Sequence, residues 1–175
     1  MISQPPTQGE QASSLPYQDT KPVGAPDFYF AINATFQFIR KRLGEDGLHR
    51  YWQDLGDTYF QPVTTAWREK GLPAVARYWR DFFDAEPGAH VDVGESSDAV
   101  EVTVHTCPAI AHLRAGNREI DPNFCQHCYF VSEAMAAPAG LTIRVEGGNG
   151  SCRQNFFAPT ATTEPQDLRR ITSCA

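Results

Sequence analysis

The sequence predicts an α+β fold: N-terminal helices, then a β-β-α-β-β unit with a small, mostly antiparallel sheet. Three observations carry this. Between residues 27 and 86, apolar and aromatic residues recur at helical spacing. From His90 onward the period shortens to two, as where Val100, Val102 and Val104 alternate with Glu101, Thr103 and His105. Gly147-Gly148-Asn149-Gly150 then separates two further strand-like runs and supplies the positive φ angles of a tight hairpin.

Residues 1–26 are rich in Pro, Gln and Ser and read as a flexible tail. Residues 27–175 read as one α+β domain, helical over 27–86 and β-β-α-β-β over 89–158. Asp27 can cap a helix whose apolar positions are Phe28, Ile32, Phe36, Ile39 and Leu43, with Gly44 as its C-cap. A second helical stretch spans about 48–60, carrying Tyr51, Trp52, Leu55 and Tyr59, and Pro62 interrupts it. A third runs over about 63–70 and ends at Gly71. Pro73 opens a fourth, with Val75, Tyr78, Trp79, Phe82 and Phe83, which Glu86-Pro87-Gly88 stops. Trp52, Trp67 and Trp79 suit a helical core better than a cofactor box.

The expected strands are His90–Gly94 and Ala99–Cys107, then, after a loop over 108–121, Leu141–Glu146 and Ser151–Ala158. Between them a helix is expected from Asp121 as N-cap and Pro122 as first residue to about Ala137.

Fifteen Lys and Arg against 21 Asp and Glu give a net charge of -6. That argues against nucleic-acid or anionic-membrane partners, which need basic surface. No apolar run approaches the ~20 residues of a membrane helix. The opening MISQPPTQGEQASS lacks the basic and apolar segments of a secretory signal, so a cytoplasmic setting is expected. In that setting five cysteines read as thiols, metal ligands or catalysts rather than a disulfide framework. A homo-oligomer is compatible with the sequence.

The topology sorts the cysteines. The second strand ends at Cys107, the next helix begins there with Cys125 and Cys128, and Cys152 follows the glycine turn at the same end. His105, Asp121, Asn123, His127 and Gln154 are expected nearby, whereas Cys174 is not placed by this argument. Singly, each cysteine is as well explained as small buried core; four together are not. His105 is expected to share a strand face with Cys107, and His127 to point to a different helix face from its flanking cysteines.

Two chemistries suit such a cluster. A cysteine in the first turn of a helix is favoured as thiolate, and the free N–H groups there can receive charge developing on a substrate. Cys125 fits this best and Cys128 next, with His105 or His127 as proton-transfer groups and Asn123 as orienter. Alternatively Cys107, Cys125, Cys128 and Cys152 could make a tetrathiolate zinc site, although a lone C-x2-C is a moderate signal. Gly147–Gly150 lacks the spacing and the Lys-Ser/Thr ending of a phosphate loop.

Tyr78-Trp79-Arg80-Asp81-Phe82-Phe83, Glu86-Pro87-Gly88, the stretch HTCPAIAHLRAGNREIDPNFCQHC and the run EGGNGSCRQNF together resemble the L-2-amino-thiazoline-4-carboxylic acid hydrolase family over about residues 45–158. Its carriers here are Cys107-Pro108, Phe124-Cys125-x-x-Cys128 and Gly150-Ser151-Cys152 with Gln154. The resemblance implies a cytoplasmic hydrolase that opens a small cyclic amidine or thiazoline-type ring by adding water at the C=N carbon. A thiolate or a metal-bound hydroxide could make that attack. The expected site is then Cys125 as nucleophile, Cys107, Cys128, Cys152, His105 and His127 around it, and Asn123, Asp121 and Gln154 on the substrate, with no cofactor. The layout also distantly resembles vinyl-reductase-type ligand-binding domains, which implies the alternative of a zinc-stabilised binding or accessory module without catalysis.

Overall fold

The computed structural model describes residues 27–174; the expected tail over 1–26 lies outside the described residues. Helix α1 spans Phe28–Thr58 and is two helices joined across a kink at Gly44, whose φ of 72° ends the first as the sequence suggests. Its inner face differs from the expected one. Asn33, Phe36, Leu48 and Trp52 are buried, while Phe28 and Leu43 are 66% and 64% exposed. Asn33 is drawn inward because its side chain bonds the chain near Asp121: Nδ2 donates to the Glu119 carbonyl and Oδ1 accepts from the Asp121 N–H. Helices α2 (Gln61–Lys70) and α3 (Leu72–Asp84) each start with a proline in the first turn and meet at Gly71, which has φ 65°.

Strands β1 (His90–Glu95) and β2 (Ala99–Thr106) form the first hairpin, and β3 (Thr142–Gly148) and β4 (Ser151–Phe157) the second. Two elements were not foreseen. The stretch read as a loop contains α4 (Pro108–Ala115), an eight-residue helix started by Cys107 and Pro108 and anchored by buried Ile110 and Leu113. A two-residue strand β5 (Ile171–Thr172) pairs in parallel with β3. The sheet order is β1-β2-β4-β3-β5, antiparallel except for that last edge.

Helix α5 (Gln126–Ala136) begins later than expected, with Cys125 as its N-cap. Asp121 caps a turn instead: Oδ1 accepts the Asn123 N–H at 2.9 Å, and Phe124 N–H returns to the Asp121 carbonyl. A carboxylate that closes a local turn competes with helix initiation at the same place. Helix α5 packs along α1 and over β3, and α3 lies over β1 and β2. One face of the sheet is thereby buried through Val100, Val102, Val104, Ile143, Val145 and Phe156. Trp52 and Trp67 are core, as the sequence indicates. Among the described residues no helix is long and apolar enough to cross a membrane.

Candidate functional site

At one end of the sheet the chain delivers five sulfurs from five places. Cys107 follows β2 and is tied down by its N–H to the Gly150 carbonyl at 2.8 Å. Cys152 sits on β4 opposite Val104 of β2 and Gly147 of β3. Cys125 caps α5 and Cys128 lies in its first turn. Cys107, Cys125, Cys128 and Cys152 line one narrow cleft, with His127, the glycines of the β3–β4 hairpin, and a floor of Phe124 and Val145. Counting its open mouth the cleft holds about 340 Å³, but its enclosed part admits little more than a water-sized molecule. Cys174, just after β5, is buried behind Cys125, with Sγ to Sγ 3.1 Å.

The glycine hairpin permits this convergence. Asn149 and Gly150 make the turn with φ of 56° and 119°, so the run is a hairpin turn as read from the sequence. At Gly148 (φ 145°) a Cβ would stand 2.6 Å from the Thr172 carbonyl oxygen and 3.3 Å from Cys125 Cβ. Only a residue without a side chain lets β5 and Cys125 approach there. The Cys174 N–H and the Ser173 hydroxyl both donate to the Pro122 carbonyl at 3.1 Å, which fixes the last residues beside α5.

The thiols are not equivalent. Burial pushes Cys107 up to about 11, and Cys128 and Cys152 up to about 12. Cys125 is raised because its thiol is hydrogen-bonded to Cys174, and burial adds to this. Cys174 is lowered to about 7: it accepts from Cys125 and from the backbone N–H groups of Cys125 and Asn149, and feels the charge of Arg114. Arg114 is held in place by donating to Asn149 Oδ1 at 2.5 Å. Cys125 and Cys174 therefore titrate as a pair, the shared contact raising one thiol and lowering the other. The Asn149 N–H also reaches Cys125 Sγ at 3.2 Å, so a charge moved to Cys125 still finds a donor.

His127 faces the cleft with both flanking cysteines, which the sequence did not suggest. The reason is the late start of α5: Cys125 is the cap, so helical spacing does not separate it from His127. The ring packs against Phe36 and Phe124. Its Nδ1 lies 2.5 Å from the Phe124 carbonyl oxygen, which places the proton on Nδ1 and leaves Nε2 as acceptor, 3.7 Å from Cys128 Sγ. Burial lowers its pKa, so the imidazole is neutral at pH 7.

Other expected site residues lie elsewhere. His105 is on the opposite, exposed face of β2 from buried Val104, with Nε2 2.8 Å from Asp92 Oδ2 and its ring against His90. Alternation along the strand separates it from the cleft, and Cys107 has already left the strand. Asp121 is fully buried in an ion pair with Arg40 Nε at 2.7 Å. Asn123 follows it in the same turn, its side-chain amide buried without a partner. Gln154 lies on the β4 face next to Cys152, its Nε2 3.9 Å from that sulfur and its buried Oε1 unpaired.

Three contributors had no clear sequence signal. Cys174 comes in through the short parallel β5, and Arg114 through α4. The Tyr29 hydroxyl donates to Glu86 Oε2 at 2.5 Å; burial and that carboxylate keep the phenol protonated, close enough to feel Cys107 and Cys128. Among the described residues, no three His, Cys, Asp or Glu side chains form a set that could hold a metal ion. Family models, curated proteins and solved structures offer no match to this chain.

Proposed function

We propose that the protein is a cysteine hydrolase that opens a small cyclic amidine or thiazoline-type ring in the cytoplasm, with Cys125 as nucleophile and Cys174 as its proton acceptor. The observation that carries this reading is the 3.1 Å contact between a cleft-facing thiol at a helix N-cap and a second sulfur that is ionised near pH 7. The substrate class rests on the resemblance of Cys107-Pro108, Phe124-Cys125-x-x-Cys128 and Gly150-Ser151-Cys152 to the thiazoline carboxylate hydrolase family.

Cys174 takes the Cys125 proton as the Cys125 sulfur adds to the ring C=N carbon. The electron pair moves to the ring nitrogen, which receives the proton back from Cys174. The helix N-terminus and the Asn149 N–H offset the negative charge during transfer. The tetrahedral carbon then regains a double bond to nitrogen as a ring bond breaks, the leaving ring heteroatom keeping the electron pair and taking a proton from solvent. Water adds to that carbon, and the C–S bond to Cys125 breaks with the pair returning to the Cys125 sulfur. Neutral His127 is within reach of the cleft through Nε2 and can accept a proton from that water. The protonated thiols of Cys107, Cys128 and Cys152 and the wall of Phe124 and Val145 shape a dry cleft. The hairpin over 147–150 must move outward to admit a ring.

Turnover of 2-amino-thiazoline-4-carboxylate and related amidines tests this. Wild-type turnover with a loss of about 10³-fold or more in Cys125→Ala is expected. Full turnover by Cys125→Ala, or about one zinc per chain bound by the purified protein, would overturn the thiolate reading.

A further inference from the structure

We propose that Cys125 and Cys174 form a redox-active dithiol that a small hydroperoxide converts to an intrachain disulfide. The two sulfurs stand 3.1 Å apart, so a bond of about 2.05 Å needs a relative shift of roughly 1 Å. The shift is available on the Cys174 side, where the chain is held by a two-residue strand and by two hydrogen bonds to one carbonyl. Gly148, which has no side chain, lets β5 pass close to Cys125.

The division of labour follows from access. Cys125 lines the cleft, whereas Cys174 is only 9% exposed and lies behind it. The enclosed part of the cleft takes a water-sized molecule, so a small hydroperoxide needs less room there than a ring substrate does. Cys125, having passed its proton to Cys174, attacks the nearer peroxide oxygen. The O–O bond breaks and the distal oxygen leaves as alcohol or water, taking that proton from Cys174. Cys125 is then a sulfenic acid, and the Cys174 thiolate attacks its sulfur, expelling hydroxide that is protonated to water. Two thiols and one hydroperoxide thus give one disulfide, one alcohol or water, and one water. A small thiol restores the pair by exchange.

This inference shares Cys125 with the hydrolase reading but needs no ring opening, so its test is read without substrate. Hydrogen peroxide at one equivalent is added to the reduced full chain, free thiols are counted, and the tryptic fragments are analysed by mass spectrometry. Free thiols should fall from five to three per chain. The fragments 119–144 and 171–175 should become linked, and dithiothreitol should separate them. Since 119–144 also holds Cys128, the Cys128→Ser variant must retain the link and Cys125→Ser must lose it. Survival of five thiols, a link that depends on Cys128, or sulfinic acid on Cys125 with Cys174 free would each overturn the proposal. If the link forms and no ring is ever opened, the dithiol stands and the hydrolase reading falls.

Discussion

The inward face of β4 ends in two different environments. At one end Phe156 is fully buried, edge-on to Trp67 at 5.4 Å and near Trp79 at 5.9 Å. At the other end, four residues earlier on the same face, Cys152 borders a cleft. Gln154 between them is buried with its carbonyl oxygen unpaired. Aromatic rings can fill the first end because α2 and α3 lie over it. The second end is covered by the starts of α4 and α5 and by a hairpin of glycines. The same strand therefore supplies stability at one end and chemistry at the other. Ionisable sulfur gathers where the aromatic packing stops, whereas unpaired buried polar atoms occur at both ends, Trp67 and Trp79 Nε1 as well as Gln154 Oε1.

That contrast can be broken by substitution. Phe156→Ala removes a filled ring and should cost about 3–5 kcal/mol, lowering Tm on the order of 10 °C. Cys152→Ala at the other end should cost about 1 kcal/mol, as a small side chain beside an existing void. A thermal melt of both variants checks the difference, and equal losses would mean that the cysteine end is ordinary core.

Arg40→Ala leaves the Asp121 carboxylate buried without its partner. The expected loss is roughly 1–3 kcal/mol, less than for a wholly buried pair because Arg40 is 36% exposed. Ring-opening kcat should survive in the fraction that remains folded. A selective rise in KM would instead make Asp121 a substrate ligand.

Gly148→Ala should cost about 1–3 kcal/mol through its positive φ and its collision with the Thr172 carbonyl. It should also part Cys174 from Cys125. Thiol titration by alkylation rate would then show the reactive thiol moving from about 7 toward the ordinary thiol range.

The smallest effect is the pH dependence. Cys174 is lowered in the folded chain, so its contribution to stability is full above about pH 9 and is lost as pH falls through about 7. Cys107, Cys128 and Cys152 are raised by burial, so the unfolded chain ionises first. Their contribution is full below about pH 9 and is lost as pH rises through 11–12. Tm should rise slightly from pH 7 to 9 and fall beyond it. Ring-opening kcat/KM should rise with pH through about 7, and Cys174→Ser should move that rise upward.

Much of the framework was legible in the sequence because it depends on local rules. Gly44, Gly71 and Gly147–Gly150 mark turns by conformational freedom, Pro62 separates two helices, Pro73 opens a helix, and the Val100–Val104 alternation declares a strand. The meeting of Cys107, Cys125, Cys128 and Cys152 at one cleft followed from strand and helix directions. The misreadings came where two local rules competed. Asp121-Pro122 has the chemistry of a helix start, yet the carboxylate is taken up by Arg40 and a turn. His105 was placed by strand alternation on one face with Cys107, but β2 ends at Thr106, so Cys107 turns into the cleft while His105 stays on the far face.

The sequence by itself determined most of the helices and strands and which end of the sheet carries the cysteines, because propensity, period and turn chemistry act within a few residues. Only the tertiary structure decided the state of those cysteines. Cys174 reaches Cys125 across 49 residues through a two-residue strand, and the charge of the pair depends on the N–H of Asn149 and on Arg114 from other elements. A thiol's ionisation is set by burial and by donors in space, and no spacing along the chain records those.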